Sequence, residues 1–335
     1  MRRDSCARRF VTAWHLQLAS PCHHRLTKDK PTAQATDVSL EWGLAGALAA
    51  PEESIGFVVV DVLSFTTAVT VAVSRGTEVV PCPDDQTARR VAVEIPGTAV
   101  AVRRSSVDPA HPWSLSPADL DRAPAAGRLA LASPNGATVA AALAADGKLV
   151  VACSLRNVTA VANWLLGDGL SRCRQAGQAE WELTGSDAPG PRSATESAAR
   201  RAHSMPPRAP RHLAVVAAGE RWPDGSLRPA LEDSICAGRL LQILRDGSLA
   251  ARLSPAAVLA ARSVAGLSRA ETAGFVRGSV SAAELRIAGY EEDVEMAVGT
   301  DADSVVPVLR PDHPTTPAAG FRPAPGMAPA APAPT

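Results

Sequence analysis

GFVVVDVLSFTTAVTVAVSRG, residues 56–76, decides the fold. Its first eight residues, 56–63, are apolar at both alternating sets of positions, so they predict a central strand buried on both faces. Residues 66–74 place Val69 and Val73 four apart on one helical face, and Arg75-Gly76 ends that helix. A doubly buried strand leading straight into a helix is the repeating unit of a parallel sheet with crossover helices.

Working outward, the same pattern recurs. Short apolar runs at 78–81, 98–102, 128–132, 148–153 and 212–217 predict further strands, and 85–94, 137–145, 158–166 and 234–245 predict helices. The fold class is therefore α/β, a mostly parallel sheet with crossover helices. Residues 254–309 read as two or three helices closing on the apolar run SVVPVL at 304–309. Residues 37–310 form the expected domain. Residues 167–211, rich in Pro, Ser, Ala and Arg without periodicity, are expected to be a disordered insertion in it. Residues 1–36 are expected to be a disordered extension, and the Pro/Ala-rich tail 311–335 to stay outside the core and be dispensable.

Composition removes several functions. The chain has 335 residues and is 46% hydrophobic, enough for a sizeable core. Its 34 Lys and Arg balance 34 Asp and Glu, so no global field favours nucleic acid or an anionic membrane. Aromatics make up 4%, too few for base-stacking platforms. No apolar run reaches the roughly 18–20 residues that span a bilayer. The six cysteines form no C-x-x-C pair, which suits a reducing, cytoplasmic setting.

In open parallel sheets ligands collect where strands end and helix N-termini begin. The segments after four predicted strands supply Ser64, Thr66 and Thr67; Asn135 and Gly136; Arg156 and Asn157; and Glu220 and Arg221. That inventory suits an oxyanion such as phosphate or sulfonate. Asp61 stands apart, because a carboxylate inside an apolar strand is costly unless paired or bound to metal. The plainer account is that it braces the Ser/Thr-rich turn beside it. Glu232 and Asp233 precede an apolar helix and point about 100° apart if both are helical, so one would ligate a metal while the other caps the helix or orients its partner.

Carboxylates facing hydroxyl and N–H donors suit Mg²⁺, a hard cation that bridges to phosphate oxygens. Zinc is disfavoured because the seven histidines show no H-x-x-x-H spacing. The chain lacks G-x-x-x-x-G-K-[ST], a G-x-G-x-x-G after a strand, and a G-x-S-x-G elbow. Leu63 occupies the place of the second aspartate of a haloacid-dehalogenase-like phosphatase, and Cys236 reads as a small buried hydrophobe rather than a nucleophile.

The segments 58–81, 113–117 (WSLSP), 131–138 (LASPNGAT), 152–165, 215–238 and 289–309 resemble, in this order, the 2-phosphosulfolactate phosphatase (ComB-like) family. The resemblance implies an α/β, Mg²⁺-dependent acid phosphatase acting on (R)-2-phospho-3-sulfolactate. It places Asp61, Asn135-Gly136, Arg156-Asn157, Gly219-Glu220 and Glu232-Asp233 on the family's motif positions. Two departures stand out: where relatives tend to read DVLRATT this chain has Ser64-Phe65, losing a cation, and a Thr-Thr-Asn-Gly-Thr turn becomes residues 133–137, SPNGA. The expected partner is thus a small phosphorylated acid, with Asp61, Glu232 and Asp233 as catalytic and metal-holding carboxylates. Ser64, Thr66, Thr67 and the Asn135-Gly136 turn would bind phosphoryl oxygens, with Asn157 and Glu220 beside them, and Arg156 or Arg221 would take a carboxylate or sulfonate. A homo-oligomer is compatible with this reading, and a non-catalytic anion-binding module of the same fold is the competing one.

Overall fold

The computed structural model describes residues 38–52, 54–167, 169, 212–247, 253–309 and 319–327. The expected N-terminal extension and nearly all of the 167–211 insertion lie outside these residues. In chain order the elements are β1 (Val38–Trp42), α1 (Gly43–Ala49), β2 (Ser54–Val60), α2 (Phe65–Ser74), β3 (Glu78–Cys82), α3 (Asp85–Glu94), β4 (Thr98–Val100), α4 (Pro117–Arg122), β5 (Arg128–Ala132), α5 (Gly136–Ala145), β6 (Val150–Cys153) and α6 (Val158–Leu166). There follow β7 (His212–Ala217), β8 (Glu220–Arg221), β9 (Leu227–Arg228), α7 (Leu231–Asp246), α8 (Pro255–Ser263), α9 (Arg269–Arg277), α10 (Val280–Ile287), α11 (Glu291–Ala297), β10 (Pro307–Leu309) and β11 (Phe321–Pro323).

Nine strands form one sheet in the order β1-β7-β2-β6-β10-β11-β3-β5-β4, and β8 pairs with β9 as a separate antiparallel ribbon. Two parallel blocks, β1-β7-β2-β6 and β3-β5-β4, are joined by the antiparallel pair β10-β11. The doubly apolar character of 56–63 has its reason here. Val58 and Val60 face a layer containing Val161, Leu165, Leu240 and Leu244 of α6 and α7, while Phe57 and Val59 face one containing Phe65, Val69 and Leu143 of α2 and α5. No helix among the described residues is long and apolar enough to cross a membrane.

Two expectations need correction. The region read as two or three helices holds four described helices, α8 to α11, because Ser254, Ser268 and Ser279 each accept a backbone N–H from the following turn and start a new helix. The tail is not wholly outside the core. Residues 321–323 are β11, which fills the gap between β10 and β3, and the Phe321 ring is fully buried edge-on against Phe65, with centroids 6.2 Å apart. A buried aromatic and pairing with β10 and β3 seat a strand in a segment whose composition reads as solvated.

Phe321→Ala should therefore lower unfolding free energy by about 3–5 kcal/mol in urea denaturation, the usual cost of emptying a buried phenylalanine site. Removing residues 311–335 should cost at least as much. An unchanged midpoint in both would show that β11 is not part of the cooperative core.

Candidate active site

Asp61 is not inside the strand as the sequence reading had it; β2 stops at Val60. The chain turns there because the Asp61 carbonyl accepts the Thr66 N–H and the Thr66 hydroxyl, both at 2.8 Å. This leaves the carboxylate at the strand's carboxyl end, facing the first turn of α2. Its Oδ1 accepts the Phe65 N–H at 3.3 Å and its Oδ2 accepts the Gly136 N–H, from the first residue of α5, at 2.7 Å. Gly136 is required for this approach: a Cβ would lie 2.5 Å from Asp61 Oδ2 and 2.6 Å from the Phe65 ring.

The first turn of α7 carries Glu232 and Asp233 into the same region, and both are buried. Asp233 accepts the Val62 N–H at 2.8 Å and the Gly219 N–H at 2.9 Å, tying the ends of β2 and β7 to the helix. Gly219 has φ +67°, a left-handed conformation that glycine adopts without cost. Glu232 differs from its neighbour, because its buried Oε2 has no hydrogen-bond partner among the described residues. Glu220, on β8, accepts the Asn135 side-chain N–H at 2.7 Å and is half-buried.

The carboxylates feel one another. Burial, with repulsion from Glu232, pushes Asp61 up to about 6 against the N–H bonds from Gly136 and Phe65 and the pull of Arg104. Burial and the Asp61 and Glu232 charges push Glu220 up to about 7, with Asn135 and Arg228 opposing. Asp233 is likewise held well above the usual carboxylate range by burial and the same two neighbours. Like charges crowded in a poorly solvated place must be neutralised by protons or by a cation.

The remaining sequence candidates divide. The Thr66 and Thr67 hydroxyls donate to the Asp61 and Val62 carbonyls, so they shape the turn and are fully buried. Ser64 Oγ accepts a guanidinium N–H from Arg104 at 2.7 Å. Arg156 is not brought to the cluster; its Nε donates to Asp303 at 2.6 Å and its Nη1 to the Met296 carbonyl at 3.0 Å. Asn157 serves the backbone, accepting the Ser154 N–H and donating to the Ala152 and Val305 carbonyls. Arg221 is exposed and donates to the Pro134 carbonyl at 3.0 Å, bracing the turn before Gly136. The Cys236 thiol is buried and raised well above its ordinary value by burial, which disfavours a nucleophilic thiolate.

Arg104 was missed. It follows the predicted strand 98–102, so inspecting that strand's end like the others would have found it. Its Nε donates to Asp293 at 3.0 Å, and Asp293 in turn accepts the Ser116 hydroxyl.

Among the described residues no group of three or more His, Cys, Asp or Glu side chains is arranged to enclose a metal ion. A hard dication that keeps several waters needs only one or two protein carboxylates. The unpartnered Glu232 oxygen, close enough for its charge to raise Asp61, supplies donors of that kind.

A mostly parallel sheet with acids and backbone N–H groups gathered at its strand ends defines an α/β protein with a carboxylate cluster where such folds place their ligand sites. The family described as 2-phosphosulpholactate phosphatase matches residues 48–170 and 196–312, and the chain belongs to it. The family name indicates a phosphatase, a hydrolase of phosphoric monoesters. The match breaks within the expected insertion and stops short of β11. Comparison with individual curated proteins finds no match.

Two outcomes follow from this geometry. Gly136→Ala should lower stability by about 1–3 kcal/mol through overpacking against Asp61 and Phe65, read as a shifted denaturation midpoint. In chelator, stability should fall as pH rises. Between the ordinary values of 3.8 and 4.5 and the raised values of about 6 and about 7, the folded chain holds protons on Asp61 and Glu220 that the unfolded chain has lost. The stability those protons confer is complete below about pH 4 and lost by about pH 7, a difference on the order of 2 kcal/mol or more. Equal stability at pH 5 and pH 8 would contradict the crowding of these groups.

Proposed function

We propose that the chain hydrolyses the phosphate monoester of a small acid in a Mg²⁺-dependent reaction, with (R)-2-phospho-3-sulfolactate, yielding 3-sulfolactate and phosphate, as first candidate. The observation that carries this is the buried, unpartnered Glu232 Oε2 beside the raised carboxyl of Asp61. The family's name suggests this substrate.

Asp61 and Glu232 would hold the ion. When bound, Mg²⁺ supplies neutralisation of phosphate charge and a more acidic water. The other roles belong to the chain's own residues. Asp233, with both oxygens engaged by Val62 and Gly219, keeps the strand ends in register with α7. Asn135 orients the Glu220 carboxyl, whose value of about 7 suits it to hold or release a proton at neutral pH. Gly136, by bonding Asp61 Oδ2, fixes the carboxylate plane and leaves the remaining lone pairs for a cation.

Phosphate release should be seen from 2-phosphosulfolactate, or from a related phosphorylated carboxylic acid in a substrate screen, with Mg²⁺ and not in excess chelator. Glu232→Gln should reduce kcat/KM by about 100-fold or more while Tm changes little, since the Oε2 it replaces has no hydrogen-bond partner among the described residues. Anion binding without turnover on any phosphorylated acid would favour a binding module instead. Full activity of Glu232→Gln would remove that residue from the site.

A further inference from the structure

A cavity of about 290 Å³ is lined in part by Arg103, Arg104, Ser105, Ala132 and Tyr290, and Arg104 ties it to the turn that carries Asp61. Its size is near the lower end of the roughly 300–1,000 Å³ of small-molecule sites, so it fits a small metabolite rather than a macromolecule. Arg104 joins the two spaces. One guanidinium N–H donates to Ser64, three residues from Asp61, and the charge of Arg104 is felt at Asp61, where it favours the carboxylate.

The guanidinium is held rather than free. Asp293 takes Nε at 3.0 Å, and the group lies over the Tyr290 ring, 5.3 Å from its centre. The side chain is 18% exposed. Its Nη1 makes no hydrogen bond among the described residues, so part of the fork is left for a ligand. Asp85 also lines the cavity and pairs with exposed Arg103 at 3.6 Å, which leaves Arg104 as the ordered cation of the wall. A planar cation that is fixed by an anion and an aromatic face, lines a cavity and keeps N–H groups unused is suited to take two oxygens of an anion.

We infer that this cavity is the subsite for the substrate's second acid group, a carboxylate or sulfonate, and that Arg104 is its specificity-determining anchor. The inference rests on the phosphatase reading for the placement of the phosphate at the carboxylate cluster. It also replaces Arg156, which Asp303 and Met296 occupy. Ser64 fits the same scheme: a small hydroxyl at the start of α2 lets a guanidinium from the segment after β4 reach the mouth of the site.

The test uses the full chain with Arg104→Gln and Arg104→Lys, each checked for an unchanged circular-dichroism spectrum. Gln keeps hydrogen-bonding capacity and Lys keeps the charge, so a fold defect in one leaves the other to decide. Kinetics are measured on 2-phosphosulfolactate and on p-nitrophenyl phosphate, which has no second acid group. The ratio of the two kcat/KM values should drop about tenfold or more in both variants, since Gln loses the charge and Lys loses the planar two-point fork. Binding of 3-sulfolactate, which carries no phosphate, is measured by calorimetry and should weaken by a similar factor. An unchanged ratio together with unchanged 3-sulfolactate binding overturns the subsite. If the wild-type chain hydrolyses neither ester nor any phosphorylated acid in the screen but binds 3-sulfolactate through Arg104, the phosphatase reading fails and the subsite stands.

Discussion

Backbone N–H groups that reach buried carboxylates hold this site together. Asp233 gathers the N–H groups of Val62 and Gly219, and Asp61 gathers those of Phe65 and Gly136. Each bond joins an end of the sheet to the start of a helix, so the acids are structural struts as well as chemical groups. Buried carboxylates usually cost stability, and two N–H donors apiece offset part of that cost. They do not offset all of it, because Asp61, Asp233 and Glu220 remain raised. The fold therefore carries an electrostatic deficit that a cation would relieve.

On the proposed function, a phosphate would sit at this deficit. Glu232 presents an oxygen without a partner among the described residues, Glu220 sits on a short ribbon, and Arg104 bonds Ser64. On the proposed reading, a cation at the acids and the Arg104 guanidinium would form two positive points separated by the Ser64 hydroxyl. A phosphorylated acid has two negative groups to match them. Plain phosphate monoesters would engage only the first.

Much of this was legible in the sequence, for physical reasons that also explain the remainder. GFVVV could only be a doubly buried strand, and the two cores that sandwich it confirm why no polar residue interrupts it. The carboxylates were visible as charges in apolar surroundings. What pattern reading could not see was partnership across the chain. Arg156 looked like an anion ligand, but Asp303, 147 residues away, occupies it, and Arg104 drew no notice because its partners Asp293 and Tyr290 lie far along the chain. β11 was hidden for a different reason: three residues in a Pro/Ala-rich tail have no period to detect, and only the space between β10 and β3 gives Phe321 its place. The end of β2 was misjudged because a hydrogen-bonded turn on the Asp61 carbonyl, not a change in hydropathy, stops the strand.

The central claim, that crowded acids at the strand ends are completed by a cation, is tested most directly by titrating Mg²⁺ calorimetrically at pH 7 in two buffers of different ionisation enthalpy. Carboxyls raised to about 6 and about 7 should give up protons as the ion binds. The account predicts saturable binding with a net release of roughly half to one proton, weakened in Glu232→Gln. No binding, or binding of equal strength in Glu232→Gln with no proton released in either buffer, would contradict it.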